Sequence, residues 1–289
     1  MHPHAAALKA LLDEPRLQVM PGCGDGMGAR LIAEAGFQTA FISGSSVSAM
    51  RLAMPDMDLV SLAEMADAVE TCIAAAPKVL WLADGDTGHG NALAVQKVIR
   101  AYARRGAAAV LIEDKIWPRP LGHNGAKLVV ERDAAILRCR AAVAACREEG
   151  ILLLARTDAR TSRGFDEALA RVRAFVAEGA DILFLDSPAD DDEVKRAVAA
   201  AGGRPSFAVL SPGAPRACPS QTEALKLGFK IGTYPTGMLS PVAAGIKAGL
   251  AALKAGEAEA KTALPPPELR ATLGYAEYDA QAKPFIVRA

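Results

Sequence analysis

The chain is poor in aromatic residues and carries no net charge. Phe, Trp and Tyr make up 5% of its 289 residues, and Lys+Arg and Asp+Glu number 33 each. With so few rings, a core must be aliphatic, drawn from a hydrophobic content of 51%. A balanced charge excludes the basic excess that nucleic acid or an anionic membrane surface would attract. The five cysteines, Cys23, Cys72, Cys139, Cys146 and Cys218, are odd in number and lack CxxC spacing. That fits free thiols in a reducing compartment rather than a disulfide framework or a zinc site. No run approaches the roughly 20 apolar residues of a bilayer span. The first residues, Met1-His-Pro-His-Ala-Ala-Ala-Leu8, lack the charged start and apolar stretch of a secretory signal. These features predict a cytoplasmic protein with no nucleic-acid or membrane partner.

What the chain has is a repeated alternation of short apolar runs with helical spacing. Eight runs have strand character: 17–21, 39–43, 79–83, 107–112, 151–155, 181–185, 206–211 and 229–235. Their hydrophobicity is continuous rather than alternating, as expected of strands covered on both faces. Helical segments separate them, including 61–76 with Ser61 and Glu64 in capping-box spacing, 92–105, 131–149 and 165–178. Eight βα units in one chain of this length predict a single (β/α)8 TIM barrel over 1–289. A helix within 1–15 precedes it, and a helical extension over about 256–289 follows three consecutive prolines. A helix over 268–282 carrying Tyr275 and Tyr278 suits either a grip on a neighbouring subunit or packing on its own barrel.

A barrel enzyme places its chemistry where strands end at the carboxyl side. Here the second run ends in Ser43-Gly-Ser-Ser46, the third in Asp84-Gly-Asp86, the fourth in Glu113-Asp114, the fifth in Arg156-Thr-Asp158 and the sixth in Asp186. An isolated Asp-x-Asp is more often a pair of turn caps. Three acids at successive strand ends, however, suit a hard divalent cation such as Mg²⁺, or Mn²⁺ in its place. Asp84, Asp86 and Glu113 are therefore the candidate metal residues. Arg156 has the planar fork for a substrate carboxylate, or equally for a rim ion pair with Asp158 or Glu113. The N–H groups around Gly44 and Ser45 offer further anion donors. His89 and His123, both in glycine-bearing loops, titrate in the range useful for proton transfer. Cys139 and Cys146 read as helix packing residues, and 190–193 as an acidic helix start.

Asp84-Gly-Asp-Thr-Gly-His-Gly-Asn91, Ile112-Glu-Asp114, Pro120-Leu-Gly-His-Asn-Gly-Ala-Lys127 and Ala155-Arg-Thr-Asp-Ala159 together resemble the isocitrate lyase / phosphoenolpyruvate mutase superfamily. Pro21-Gly-Cys-Gly-Asp25 and Ser43-Gly-Ser-Ser46 match it too, and the likeness covers about 5–255. The resemblance implies a TIM barrel whose last helix is exchanged between subunits of a dimer or tetramer. It also implies Mg²⁺ and a small 2-oxo acid substrate that passes through an enolate. By position Asp84 would ligate the metal, with Asp86 and Glu113 holding its waters. Phe41, Ser43, Gly44, Ser45 and Arg156 would hold the substrate, and Asp56 would lie on the gating segment.

The resemblance also has departures. Leu121 stands where the family's carbon–carbon lyases carry a proton-transferring cysteine, Asp186 where they have Glu, and Val209 where they have Asn. A leucine cannot move a proton. The likeness is therefore to the cysteine-lacking branch that includes oxaloacetate decarboxylases, which shares the continuation Gly88–Leu93. The implied reaction converts oxaloacetate to pyruvate and CO₂, with metal-bound water or His123 giving the proton. Retro-aldol cleavage of the 2-methylisocitrate lyase kind and phosphonate chemistry of the mutase kind are the alternatives.

Overall fold

A computed structural model describes residues 1–120, 127–211 and 220–286. Eight parallel strands form the sheet: β1 (Gln18–Cys23), β2 (Thr39–Ile42), β3 (Leu80–Asp84), β4 (Ala109–Glu113), β5 (Leu152–Thr157), β6 (Ile182–Leu185), β7 (Phe207–Val209) and β8 (Ile231–Tyr234). Their spatial order is β6-β5-β4-β3-β2-β1-β8-β7. A parallel bridge between Leu183 and Ser206 joins the two ends, backed by the Leu183 N–H donating to the Pro205 carbonyl at 3.0 Å. The result is the expected (β/α)8 barrel.

Local chemistry explains where the elements start and stop. Ser61 and Glu64 form the reciprocal capping box at the head of helix Leu62–Ala75, so two otherwise unpaired N–H groups are satisfied. Asn91 accepts from the N–H groups of Leu93 and Ala94 and starts helix Ala92–Ala103 directly after the Asp84–Gly90 turn. Gly150, at φ 74°, closes helix Arg132–Glu149. The core is largely aliphatic, as composition requires, with Trp81 and Tyr102 as its largest aromatic members. β1 and β8 approach so closely at Gly22 that a Cβ there would sit 2.0 Å from the Pro235 carbonyl oxygen.

Two expectations need adjusting. The fourth and fifth strands run further toward their carboxyl ends than the apolar runs suggested, taking in Glu113 and Arg156-Thr157. Ladder hydrogen bonds hold these polar residues in the sheet although their side chains are not apolar. The C-terminal extension is two helices, Pro266–Thr272 and Tyr275–Ala282, because Gly274 adopts φ 75° between them. The first packs on its own barrel, where Thr272 bonds Glu34 at 3.2 Å and Arg30 at 3.4 Å. Helix Leu239–Lys254, which follows β8, buries only Ala252. Among the described residues no helix is long and apolar enough to cross a membrane.

Candidate active site

Strand register assembles the site. β4 and β5 pair Glu113 with Arg156, and β5 and β6 pair Arg156 with Phe184. The guanidinium of Arg156 consequently lies 3.4 Å from Glu113 and 5.0 Å from the Phe184 ring centre. Asp84 ends β3, and its carboxylate accepts the Gly44 N–H and the Asp86 N–H, each at 3.1 Å. Asp86 takes φ 47°, a left-handed conformation that turns the chain back over the strand end. Gly44 packs closely against this pair, a Cβ there standing 3.3 Å from Asp84 and 3.4 Å from Asp86.

These residues open onto one cavity of about 490 Å³ at the carboxyl rim, lined by Phe41, Ser43, Ser45, Asp56, Asp84, Asp86, Glu113 and Arg156. Of the candidates drawn from the sequence, Gly44 sits beside it, its N–H directed at Asp84. Asp56 reaches it from the segment after β2 and accepts the Ser45 hydroxyl at 2.7 Å. His123 and Leu121 lie outside the described residues. His89 does not line the cavity and packs edge-on to Trp117, ring centres 6.5 Å apart.

Several groups at the site carry weak sequence signals. Lys115 ion-pairs with Glu113 at 2.7 Å. Lys127 bridges Asp158, at 3.2 Å, and Asp186. Arg119 lines the cavity and is held to the segment after β2, its N–H donating to Asp58 at 2.8 Å and its guanidinium to the Asp56 carbonyl at 2.8 Å. Only a fold can bring Lys127 and Arg119 to acids dozens of positions away. Behind the rim, buried Asp114 accepts from Thr157 at 2.7 Å, from the Asp158 N–H at 2.9 Å and from Arg171 at 3.0 Å. That network fixes the end of β5.

The electrostatics follow from this crowding. Burial, then the neighbouring Glu113 and Asp56, push the Asp84 carboxyl up to about 6 against the pull of Arg156. Burial and the charges of Asp84 and Glu113 raise Asp86 well above the usual carboxylate range. Burial would also raise Asp158, but Arg156, Lys127 and Lys115 overcome it and hold that carboxylate below its ordinary value. Burial opposes the Lys115 ammonium, and Glu113 beside it prevails and raises its pKa.

Five carboxylates and four cationic side chains line the cavity, and buried Asp158 behind it is already gripped by Arg156. The local surplus is negative and its donors are all oxygen, which fits a hard divalent cation. Among the described residues, no three His, Cys, Asp or Glu side chains stand close enough together to hold a metal ion as they are placed.

A family model described as phosphoenolpyruvate phosphomutase matches residues 8–254. The chain belongs to the isocitrate lyase / phosphoenolpyruvate mutase superfamily. This superfamily member is 35% identical to 2,3-dimethylmalate lyase of Eubacterium barkeri over 80% of each chain. It is 38% identical to oxaloacetate decarboxylase of Paraburkholderia xenovorans over 65% of this chain and 62% of that protein. In structure it superposes on oxaloacetate acetylhydrolase bound to 3,3-difluorooxaloacetate with a TM-score of 0.92 and 31% identity, covering 99% of this chain and 98% of the other. It also superposes on phosphonopyruvate hydrolase bound to oxalate and Mg²⁺ with a TM-score of 0.82 and 28% identity, covering 98% and 99%. The superfamily member is an enzyme whose relatives are lyases and mutases of small oxo acids.

Proposed function

We propose that the protein is a Mg²⁺-dependent carbon–carbon lyase acting on a small 2-oxo or 2-hydroxy carboxylic acid, with decarboxylation of oxaloacetate to pyruvate and CO₂ as its reaction. The observation that carries this reading is the shared cavity, in which Asp84, Asp86 and Glu113 stand beside Arg156. The oxaloacetate decarboxylase relative and the solved structure holding oxalate with Mg²⁺ support the same chemistry.

Asp84 would ligate Mg²⁺ directly, with Asp86 and Glu113 holding its waters. When bound, the ion supplies positive charge that stabilises the anion left by bond cleavage. Arg156 donates two of its N–H groups to Asp158, and Nη1, which has no hydrogen bond to a described residue, is directed to the substrate carboxylate. Phe41 packs under the reacting carbons, and Ser43 and Ser45 complete the carboxylate clamp. Asp56, tied to Ser45, orders the segment after β2 over the substrate. Decarboxylation then balances with one proton delivered to the carbon that loses CO₂, for which His123 or water held at the site would be the donor. The test is a coupled pyruvate assay with oxaloacetate and Mg²⁺. Enzyme-dependent pyruvate release abolished by a chelator is expected, and a rate equal to the uncatalysed one excludes the reading.

We also propose that helix Leu239–Lys254 docks on a second copy of the chain. Val242, Ile246, Leu250 and Leu253 are exposed along it, and an apolar stripe of that length is rarely left in water. Ile246→Glu should shift the mass measured by light scattering toward the monomer, whereas an unchanged oligomer rules the docking out.

A further inference from the structure

Among the described residues Cys23, Cys72, Cys139 and Cys146 are free thiols, all of them buried, and the proposed chemistry uses none. Cys139 and Cys146 lie two turns apart on helix Arg132–Glu149, about 10 Å along its axis, too far to be joined. Cys23 and Cys72 are different. They come from β1 and from helix Leu62–Ala75, yet their sulfurs stand 3.8 Å apart. Both thiols also donate to one acceptor, the Asp25 carbonyl, at 3.2 Å and 3.5 Å. A disulfide brings its sulfurs to about 2 Å, so each has to move by roughly 0.9 Å. Gly24, Asp25 and Gly26, in the turn beside the pair, are partly exposed, and a molecule the size of hydrogen peroxide has only that turn to pass.

Movement of Cys23 reaches the turn assigned to the substrate. Its carbonyl accepts the Ser43 N–H at 3.1 Å. The next residue, Gly24, lies so close to that turn that a Cβ there would be 2.6 Å from the Ser46 carbonyl carbon. A bond formed at Cys23 therefore displaces the segment carrying Ser43, Gly44 and Ser45. The two sulfurs are also unequal. The Cys72 thiol hydrogen-bonds Cys23 and makes it the more acidic of the pair, while that same bond, and then burial, push Cys72 up. Cys23 is thus the sulfur that reacts first.

We infer that Cys23 and Cys72 form a modification site, an internal disulfide made by hydrogen peroxide that shifts the Ser43–Ser46 turn and switches the active site down. The Cys23 thiolate attacks one peroxide oxygen and becomes a sulfenic acid, the departing hydroxide leaving as water once protonated. Cys72 then attacks the sulfenic sulfur and a second water is expelled. Two thiols and one peroxide give one disulfide and two waters, each sulfur giving up one electron. A small dithiol reverses the change by exchange. The switch acts on the site proposed above, whereas the disulfide itself does not depend on that reading.

The test treats the reduced full-length protein with hydrogen peroxide, at a dose that oxidises exposed Met27. Mass spectrometry is expected to find a linked Cys23–Cys72 peptide, two hydrogens lighter than its parts. Amide exchange at Ser43 is expected to run roughly tenfold faster in that form, the loss of one hydrogen bond, and to recover with dithiothreitol. In Cys72→Ser and Cys72→Ala, peroxide is expected to leave Ser43 exchange as it was. Cys23 and Cys72 unlinked while Met27 is oxidised overturns the inference, as does a disulfide that leaves Ser43 exchange unchanged. Oxaloacetate turnover should fall at least about tenfold as the disulfide forms, the cost of a small misplacement at the site, and constant turnover overturns the switch. A linked peptide with faster Ser43 exchange, in a protein whose reduced form does not turn over oxaloacetate, would overturn decarboxylation and leave the disulfide standing.

Discussion

Arg156 grips Asp158, two residues along the same strand end, through parallel hydrogen bonds: Nε to Oδ2 at 2.8 Å and Nη2 to Oδ1 at 2.7 Å. Alternate positions of an extended chain face the same way, so the acid sets the arginine's plane. A lysine cannot reproduce a bidentate contact. Arg156→Lys is expected to lower kcat/KM by about 10²-fold, the cost of a small misplacement of a positioning group, with little change in melting temperature. Steady-state kinetics beside a thermal melt check this.

Asp84 is the residue on which metal binding should depend most. Asp84→Asn keeps its shape and its acceptor for the Gly44 N–H while removing the charge. Titration with Mg²⁺ or Mn²⁺ is expected to show no saturable binding. Turnover should fall by on the order of 10³-fold, as losing several kcal/mol of charge stabilisation implies. Saturable Mg²⁺ binding of ordinary strength in this variant would remove Asp84 from the ligand set.

Gly44 is tight against both aspartates, with a Cβ position 3.3 Å from Asp84 and 3.4 Å from Asp86. Gly44→Ala therefore displaces the carboxylates by tenths of an ångström and leaves the barrel intact. Mg²⁺ affinity is expected to weaken about tenfold, the usual size of a disturbance to groups orienting metal ligands. Stability should change by roughly 1 kcal/mol. Calorimetric titration and urea denaturation separate the two effects.

The pair of Asp114 and Arg171 is buried on both sides. Removing one member strands the other's charge in the interior, which costs about 3–5 kcal/mol. Asp114→Ala is expected to lose that much in urea denaturation. It should also loosen the end of β5, visible as faster amide exchange at Asp158, whose N–H it no longer receives.

Glu167 illustrates the protein's acid sensitivity. Hydrogen bonds from Arg132, and then from Arg171 at 2.8 Å, hold its carboxyl down at about 2 from an ordinary 4.5. A lowered carboxylate stabilises the fold at all pH values above its unfolded pKa. That stabilisation is lost as the pH falls from 4.5 toward about 2. Glu167→Gln should therefore shrink the difference between melting temperatures measured at neutral and acid pH. An unchanged pH dependence would remove Glu167 from the account.

Much of this protein follows from its sequence because the signals are local. Continuous aliphatic runs make strands that are covered on both faces, Ser61 with Glu64 starts a helix, and Asn91 caps the next one. Polar residues at the ends of those runs had to reach the carboxyl rim once eight βα units closed into a barrel, so Asp84, Asp86, Glu113 and Arg156 could be singled out together. Tertiary structure decided the rest. Lys127 and Arg119 look like ordinary surface cations until loop crossings set them against Asp186 and Asp58. Nor does any run of residues reveal that the barrel closes through a Leu183–Ser206 bridge with the Phe184 and Phe207 rings 4.9 Å apart beside it. Pairing between strands far apart in sequence depends on closure of the whole sheet, and the shape of a cavity depends on every side chain that borders it.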